Sequence, residues 1–188
     1  CAVILAALPF LLTGFIHLDG FMDCCDAILS RRDLPTRQKI LKDSHVGSFA
    51  VVCTIFLMLA AFAAFWDFDA KEGWQGLILL PVFSRFASSF CVFACRPMQT
   101  SQYAGSFAAG KTKTQRRILL GMYIAVMFVV FLWLFSKPSC ALAVAWAGLT
   151  TILACRLARR NLGGMSGDIA GFSITLGELS GLLILAIF

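Results

Sequence analysis

Charge is scarce in this chain: of 188 residues only 14% are Asp, Glu, Lys or Arg, while 60% are apolar and the mean hydropathy is +0.85. That balance excludes an ordinary soluble domain, whose core needs far less apolar material at this size. Ten-residue stretches of alternating polarity separated by turn signals are lacking too, which excludes a membrane β-barrel. Paired Cys-x-x-Cys elements are absent. The eight cysteines (Cys1, Cys24, Cys25, Cys53, Cys91, Cys95, Cys140 and Cys155) are scattered through apolar runs. Cys91 and Cys95 would share a helical face, but two thiols without further ligands make a poor zinc site, so the cysteines read as small buried hydrophobes. Internal repeats are missing, which argues against a repeat-built transporter. Neither a Met nor a charged leader precedes Cys1, so the expectation is a piece of a longer protein and not a signal peptide followed by a mature domain.

What the chain has in quantity is long apolar stretches. Six are long enough, or nearly so, to cross a hydrocarbon layer of about 30 Å: roughly 1–18, 49–66, 74–95, 119–136, 139–155 and 169–188. Gly, Pro and small residues inside several of them are tolerated when neighbouring helices satisfy the backbone. The fold expected is therefore all-α, a polytopic transmembrane helical bundle of about six spans, with residues 1–188 forming one integral membrane domain.

The basic residues orient this bundle. Arg31, Arg32, Arg37, Lys39 and Lys42 fall in the first connection, Arg96, Lys111, Lys113, Arg116 and Arg117 in the third, and Arg156, Arg159 and Arg160 in the fifth. The alternate connections hold only Lys71 and Lys137. By the positive-inside rule, connections one, three and five are cytoplasmic. The net charge of +6 then faces anionic lipid or a phosphorylated substrate. Nucleic acid is not an expected partner, because the basic residues are interrupted by spans and line no continuous groove.

Against this background, His17-Leu18-Asp19-Gly20-Phe21-Met22-Asp23-Cys24-Cys25-Asp26 is costly. On a helix, Asp19, Asp23 and Asp26 stand at i, i+4 and i+7 on one face. Three like charges on a stripe repel unless a cation lies between them, and an all-oxygen ligand set suits Mg²⁺. A solvated polar face at a helix end is the plainer alternative. Two further segments share the cytoplasmic side. Lys42-Asp43-Ser44-His45-Val46-Gly47-Ser48 precedes the second span, and Asn161-Leu162-Gly163-Gly164-Met165-Ser166-Gly167-Asp168 precedes the last, where free N–H groups of a helix start could receive an anion. Together with the acidic stripe they suggest a Mg²⁺–phosphate site. Arg85 and Glu178 are left well inside spans. They either pair across the bundle or meet the interface or ordered water separately.

The run His17-Leu18-Asp19-Gly20 with Asp23 and Asp26, then Lys42-Asp43-Ser44 with Gly47, and later Gly163-Gly164, Gly167-Asp168 and Glu178, resembles the adenosylcobinamide-GDP ribazoletransferase family, the cobalamin (5′-phosphate) synthases. The likeness is specific over 14–50 and 156–182 and looser between them. It departs in three places: Arg96 is followed by Pro97-Met98-Gln99-Thr100-Ser101-Gln102-Tyr103-Ala104-Gly105 where the family usually has Gly-Leu-Gly soon after the arginine, Met165 stands where Gln is usual, and Ala27 follows Asp26 where Gly is usual. An N-terminal segment of the family is also not present.

The resemblance implies a Mg²⁺-dependent enzyme of the bacterial inner membrane with its active site on the cytoplasmic side. It would join adenosylcobinamide-GDP to α-ribazole or its 5′-phosphate, releasing GMP. It leaves homo-oligomerisation open. Asp19, Asp23 and Asp26 would be Mg²⁺ ligands, with Asp43 or Asp168 completing the site or acting as base. Asp23 or Asp26 could also be the base if not bound to metal. Lys42, Arg96 and Arg160 would touch phosphate, unless they serve topology alone. His17 would support the site or donate to phosphate, unless it is a structural histidine. Ser44, Gly163, Gly164, Gly167 and Glu178 complete the expected substrate-binding set. A CDP-alcohol phosphotransferase is the alternative enzyme, but its Ala-Arg step is replaced by Ala27-Ile28-Leu29. A transporter is the non-enzymatic alternative.

Overall fold

The computed structural model describes residues 2–98 and 137–188, together with Thr114, Arg117, Ile118, Leu120, Gly121, Ile124, Ala125, Met127 and Phe128, which are helical. The helices with described ends are α1 (Ala2–Leu12), α2 (Ile16–Leu29), α3 (Leu34–Ile40), α4 (Ser48–Asp67), α5 (Ala70–Ala94), α6 (Pro138–Leu162) and α7 (Gly167–Ile187). Among the described residues there is no strand, only an isolated parallel bridge between Pro97 and Met165. The expected all-α class holds.

Four helices, Ser48–Asp67, Gly73–Ala94, Pro138–Leu162 and Gly167–Ile187, are long and apolar enough to cross a membrane, with a fifth span if α1 and α2 count as one. Of the expected span 119–136, Leu120, Gly121, Ile124, Ala125, Met127 and Phe128 are described and helical, and the rest lies outside the described residues. Two expectations are corrected. Residues 1–18 do not form one straight span: α1 ends after 11 residues, about 16 Å of helix, and α2 leaves it at 90°. Gly14 and Phe15 cause the break, both with positive φ (59° and 63°) inside a run that stays apolar throughout. Nor does the fifth connection begin at Arg156. Helix α6 continues to Leu162, so Arg159 and Arg160 occupy its last turn, where cations meet the negative end of the helix dipole.

The bundle centres on α6 and α7. On α6, Ala143, Ala147, Thr151, Ala154 and Ala158 repeat every three or four residues and are all buried. Gly177 and Gly181 of α7 lie directly on Ala143, Ala147 and Thr151, so the two backbones approach as small-residue membrane interfaces do. Large apolar side chains face outward instead, among them Ile55, Phe56 and Leu59 on α4, Ile78 on α5 and Leu153 on α6. Hydrocarbon would cover such a surface at no cost. Cys24, Cys25, Cys91 and Cys155 are buried thiols within the core, in keeping with the expectation.

Candidate functional site

The site grows from the crossing of α2 and α7. Phe21 and Phe172 stack at 5.8 Å and 15°. A Cβ at Gly20 would stand 2.8 Å from the Asp168 Cα and carbonyl oxygen, so only glycine lets the backbones meet there. Farther along, the Thr175 hydroxyl donates to the His17 carbonyl at 3.3 Å. Contacts therefore run from Gly20–Asp168 to His17–Thr175, which makes the two helices antiparallel and brings Asp168 beside the acidic stripe.

Asp19, Asp23 and Asp26 do lie on one helix, α2, as expected. Their environments differ. Asp19 is exposed, Asp23 is half-buried and Asp26 is buried. The Asp168 backbone packs on Gly20, between Asp19 and Asp23 of α2, so three like charges meet at one helix crossing. Among the described residues none of Asp19, Asp23 and Asp168 has an ion-pair partner. Asp26 faces elsewhere: its Oδ2 accepts the Gly47 N–H at 2.6 Å and its Oδ1 accepts the Ala50 N–H at 2.9 Å. It caps the start of α4, whose first N–H groups have no partner within the helix.

No three metal-binding side chains among the described residues converge tightly enough to ligate one ion as they stand. Mg²⁺ does not require an all-protein cage. The ion keeps several waters and commonly takes only one or two carboxylates plus phosphate oxygens. Three mutually repelling carboxylates with no counter-cation among the described residues are the kind of donor set such an ion neutralises.

The glycine-rich turn is held from both sides. Gly163 ends α6 in the left-handed region at φ 83°, its N–H bonded to the Arg159 carbonyl at 2.9 Å. From α3, Gln38 Nε2 donates to the Leu162 carbonyl at 2.8 Å and Arg37 Nη1 to Asn161 Oδ1 at 2.9 Å. On the other side the Met98 N–H donates to the Met165 carbonyl at 2.8 Å and the Met165 N–H to the Arg96 carbonyl at 3.0 Å. A Cβ at Gly164 would fall 2.6 Å from Met98 Cα, so this glycine serves that zipper. Ser166 caps α7, accepting the Ile169 N–H and donating to Asp168 Oδ2, each at 3.3 Å.

Other expected residues are distributed as follows. Arg96 joins the turn through its backbone, with an exposed side chain. Lys42, Ser44, Arg160 and Gly167 are exposed. Asp43 is also exposed; it accepts from the His45 backbone N–H at 3.1 Å and meets His45 Nδ1 at 2.7 Å, and the His45 ring contact holds its carboxyl below the usual carboxylate range. His17 is half-buried, with Nδ1 3.5 Å from Arg85 Nη2. Glu178 pairs with Arg85 and accepts from Ser84 at 2.9 Å, which decides the pairing left open by the sequence. Arg37, Gln38, Ser84 and Thr175 carry no sequence signal for these contacts, since each partner comes from a distant segment.

Fold and site together define a polytopic helical membrane protein with a carboxylate cluster where α2 meets the start of α7. The family described as cobalamin-5-phosphate synthase matches residues 1–186, and the chain belongs to it. A Clostridium perfringens protein named adenosylcobinamide-GDP ribazoletransferase is 37% identical over 187 residues, covering 99% of this chain and 74% of its own length. Proteins of the same name from Clostridium botulinum (33% over 188 residues, 100% and 74%) and Desulfitobacterium hafniense (33% over 185 residues, 97% and 72%) are also similar. No solved structure matches the chain.

Proposed function

We propose that residues 1–188 act as one catalytic unit that transfers the phosphocobinamide moiety of adenosylcobinamide-GDP to α-ribazole or its 5′-phosphate. The reading draws on the relatives' names, and one observation carries it to a site: the Asp168 backbone at the α7 start packs on Gly20 of α2, between Asp19 and Asp23. A ribazole hydroxyl attacks the corrin-linked phosphorus of the diphosphate. The new P–O bond forms as the bond to the GMP oxygen breaks, and the hydroxyl proton is lost.

Asp19 with one of Asp23 and Asp168 would hold Mg²⁺ together with the diphosphate oxygens. The ion supplies charge neutralisation on the transferred and leaving groups. The most buried of the expected ligands, Asp26, is a positioning group in this proposal, because both its oxygens are engaged by α4. Whichever of Asp23 and Asp168 is not metal-bound can take the hydroxyl proton. Exposed Arg96 and Lys42 lie on connections that carry most of the positive charge, and exposed Arg160 lies in the last turn of α6, where they can meet phosphate as it arrives. The same asymmetry of charge supports a cytoplasmic active site in a bacterial inner membrane.

The decisive experiment gives the purified protein GDP-cobinamide, α-ribazole 5′-phosphate and Mg²⁺. GMP release that requires both organic substrates, and that stops on chelation, is the expected result. Release of GMP without the ribazole would make the protein a hydrolase, and no release with any acceptor would remove the reading.

A further inference from the structure

Among the described residues, Arg85 of α5 and Glu178 of α7 form the ion pair inside the spans, where ionised groups are costly and usually serve function. Stability is a weak reason for the pair, since apolar replacements of buried ion pairs are often neutral or better. Its geometry offers a stronger one. Arg85 Nη1 binds Glu178 Oε1 and also donates to the Pro81 carbonyl at 3.1 Å, and Ser84 Oγ donates to the same Glu178 oxygen at 2.9 Å. One edge of the planar guanidinium is thereby fixed. The other nitrogen, Nη2, is left aimed at His17 Nδ1 on α2, 3.5 Å away. From α7, Thr175 grips the same residue by its carbonyl at 3.3 Å.

His17 is thus held from α5 and α7 at once, two residues before Asp19 and three before Gly20, the point of closest approach to Asp168. We infer that Arg85 is a positioning residue: through His17 it sets the rotation and register of α2 on α7, and with them the placing of Asp19 and Asp23 against Asp168. A slip of one residue would turn α2 by about 100° and take the stripe off that face. Lysine cannot substitute, because an ammonium is a point charge without a second fixed donor edge to span Glu178 and His17. The inference rests on the proposed carboxylate site, and it goes beyond it by assigning a role to a residue of α5.

The test uses Mn²⁺ as an electron-paramagnetic-resonance probe on the detergent-solubilised full chain, with kcat, KM and the thermal midpoint measured beside it. Wild type should bind Mn²⁺, and Asp23→Asn should weaken that binding. The apolar pair Arg85→Met with Glu178→Met should keep the thermal midpoint yet lose about tenfold or more in Mn²⁺ affinity, the range seen when groups that orient metal ligands are removed. Its kcat should fall while KM for GDP-cobinamide holds. Adding His17→Ala to it should change little, because the two act in series. Should the apolar pair not fold, Arg85→Lys, which keeps the charge opposite Glu178, is expected to show the same losses. Wild-type Mn²⁺ affinity and kcat in a folded Arg85 variant would overturn the inference, and so would additive effects of His17→Ala. A wild type without an Asp23-dependent Mn²⁺ signal would count against the metal site alone, and the kcat of Arg85→Lys at unchanged thermal midpoint would then decide the role of Arg85.

Discussion

Asp26 and Gly47 are fitted to each other. The carboxylate of Asp26 receives the Gly47 N–H at 2.6 Å, and a Cβ at position 47 would fall 2.5 Å from its Oδ1. With the Ala50 N–H on the second oxygen, a side chain of α2 caps a helix that begins 22 residues later. This is why one member of an evenly spaced acidic stripe is set apart from the other two.

Asp26→Asn should therefore act on stability. One amide edge would face an N–H donor, leaving a buried group unsatisfied at roughly 1–3 kcal/mol. A lowered thermal midpoint in detergent, with activity per folded molecule reduced less than in Asp23→Asn, is the expected pair of results. An Asp26→Asn protein that melts like wild type but is inactive would return this carboxylate to the chemistry.

Asp19, Asp23 and Asp168 should behave in the opposite way. Asn at any one of them removes a negative charge from a repelling group, so the thermal midpoint should hold or rise, the usual trade at a strained site. Turnover should fall on the order of 100-fold, since a donor to a diphosphate-bound cation is lost. Steady-state kinetics with added Mg²⁺, alongside melting curves, separate the two effects. Near-normal turnover in all three variants would leave the cluster without a catalytic part.

At the turn, Gly164→Ala should fail structurally before it fails in binding. Its Cβ meets Met98 backbone at 2.6 Å and would part the Arg96–Met98 segment from Met165. Gly163→Ala is the milder change, carrying about 1–2 kcal/mol for a left-handed non-glycine residue. Its yield and melting point should drop modestly while KM for GDP-cobinamide stays constant. A raised KM at unchanged stability would show that the turn touches substrate directly.

Much of this was legible in the sequence because membrane helices announce themselves by length and polarity. Helices α4, α5 and α7 follow continuous apolar runs closely, α6 overruns its expected end to reach Leu162, and the stripe of Asp19, Asp23 and Asp26 needs only the helical repeat. The break between α1 and α2 was hidden, since Phe15 continues the apolar run while its backbone turns left-handed. Which carboxylates share a site was hidden as well. Asp26 and Asp23 are alike in type and spacing, and only the packing of α4 on one and α7 on the other distinguishes them. The grip of Gln38 on Leu162 spans 124 residues, and no local pattern encodes a contact of that reach.

Topology gives the last prediction. Exposed Ser44 lies just before α4, and exposed Lys71 lies in the first turn of α5, so the 20 residues of α4 separate them. That is about 30 Å of helix, the thickness of the hydrocarbon layer. The first connection carries Arg31, Arg32, Arg37, Lys39 and Lys42, against Lys71 alone where α4 hands over to α5. Charge asymmetry of this kind should hold Ser44 in the cytoplasm and Lys71 outside. With the native cysteines replaced, Lys71→Cys should react in intact cells with a thiol reagent that cannot cross the membrane, and Ser44→Cys should react only once the cells are opened. Labelling of Ser44→Cys from outside would invert the bundle and place the Asp19, Asp23 and Asp168 cluster away from any cytoplasmic nucleotide-linked substrate.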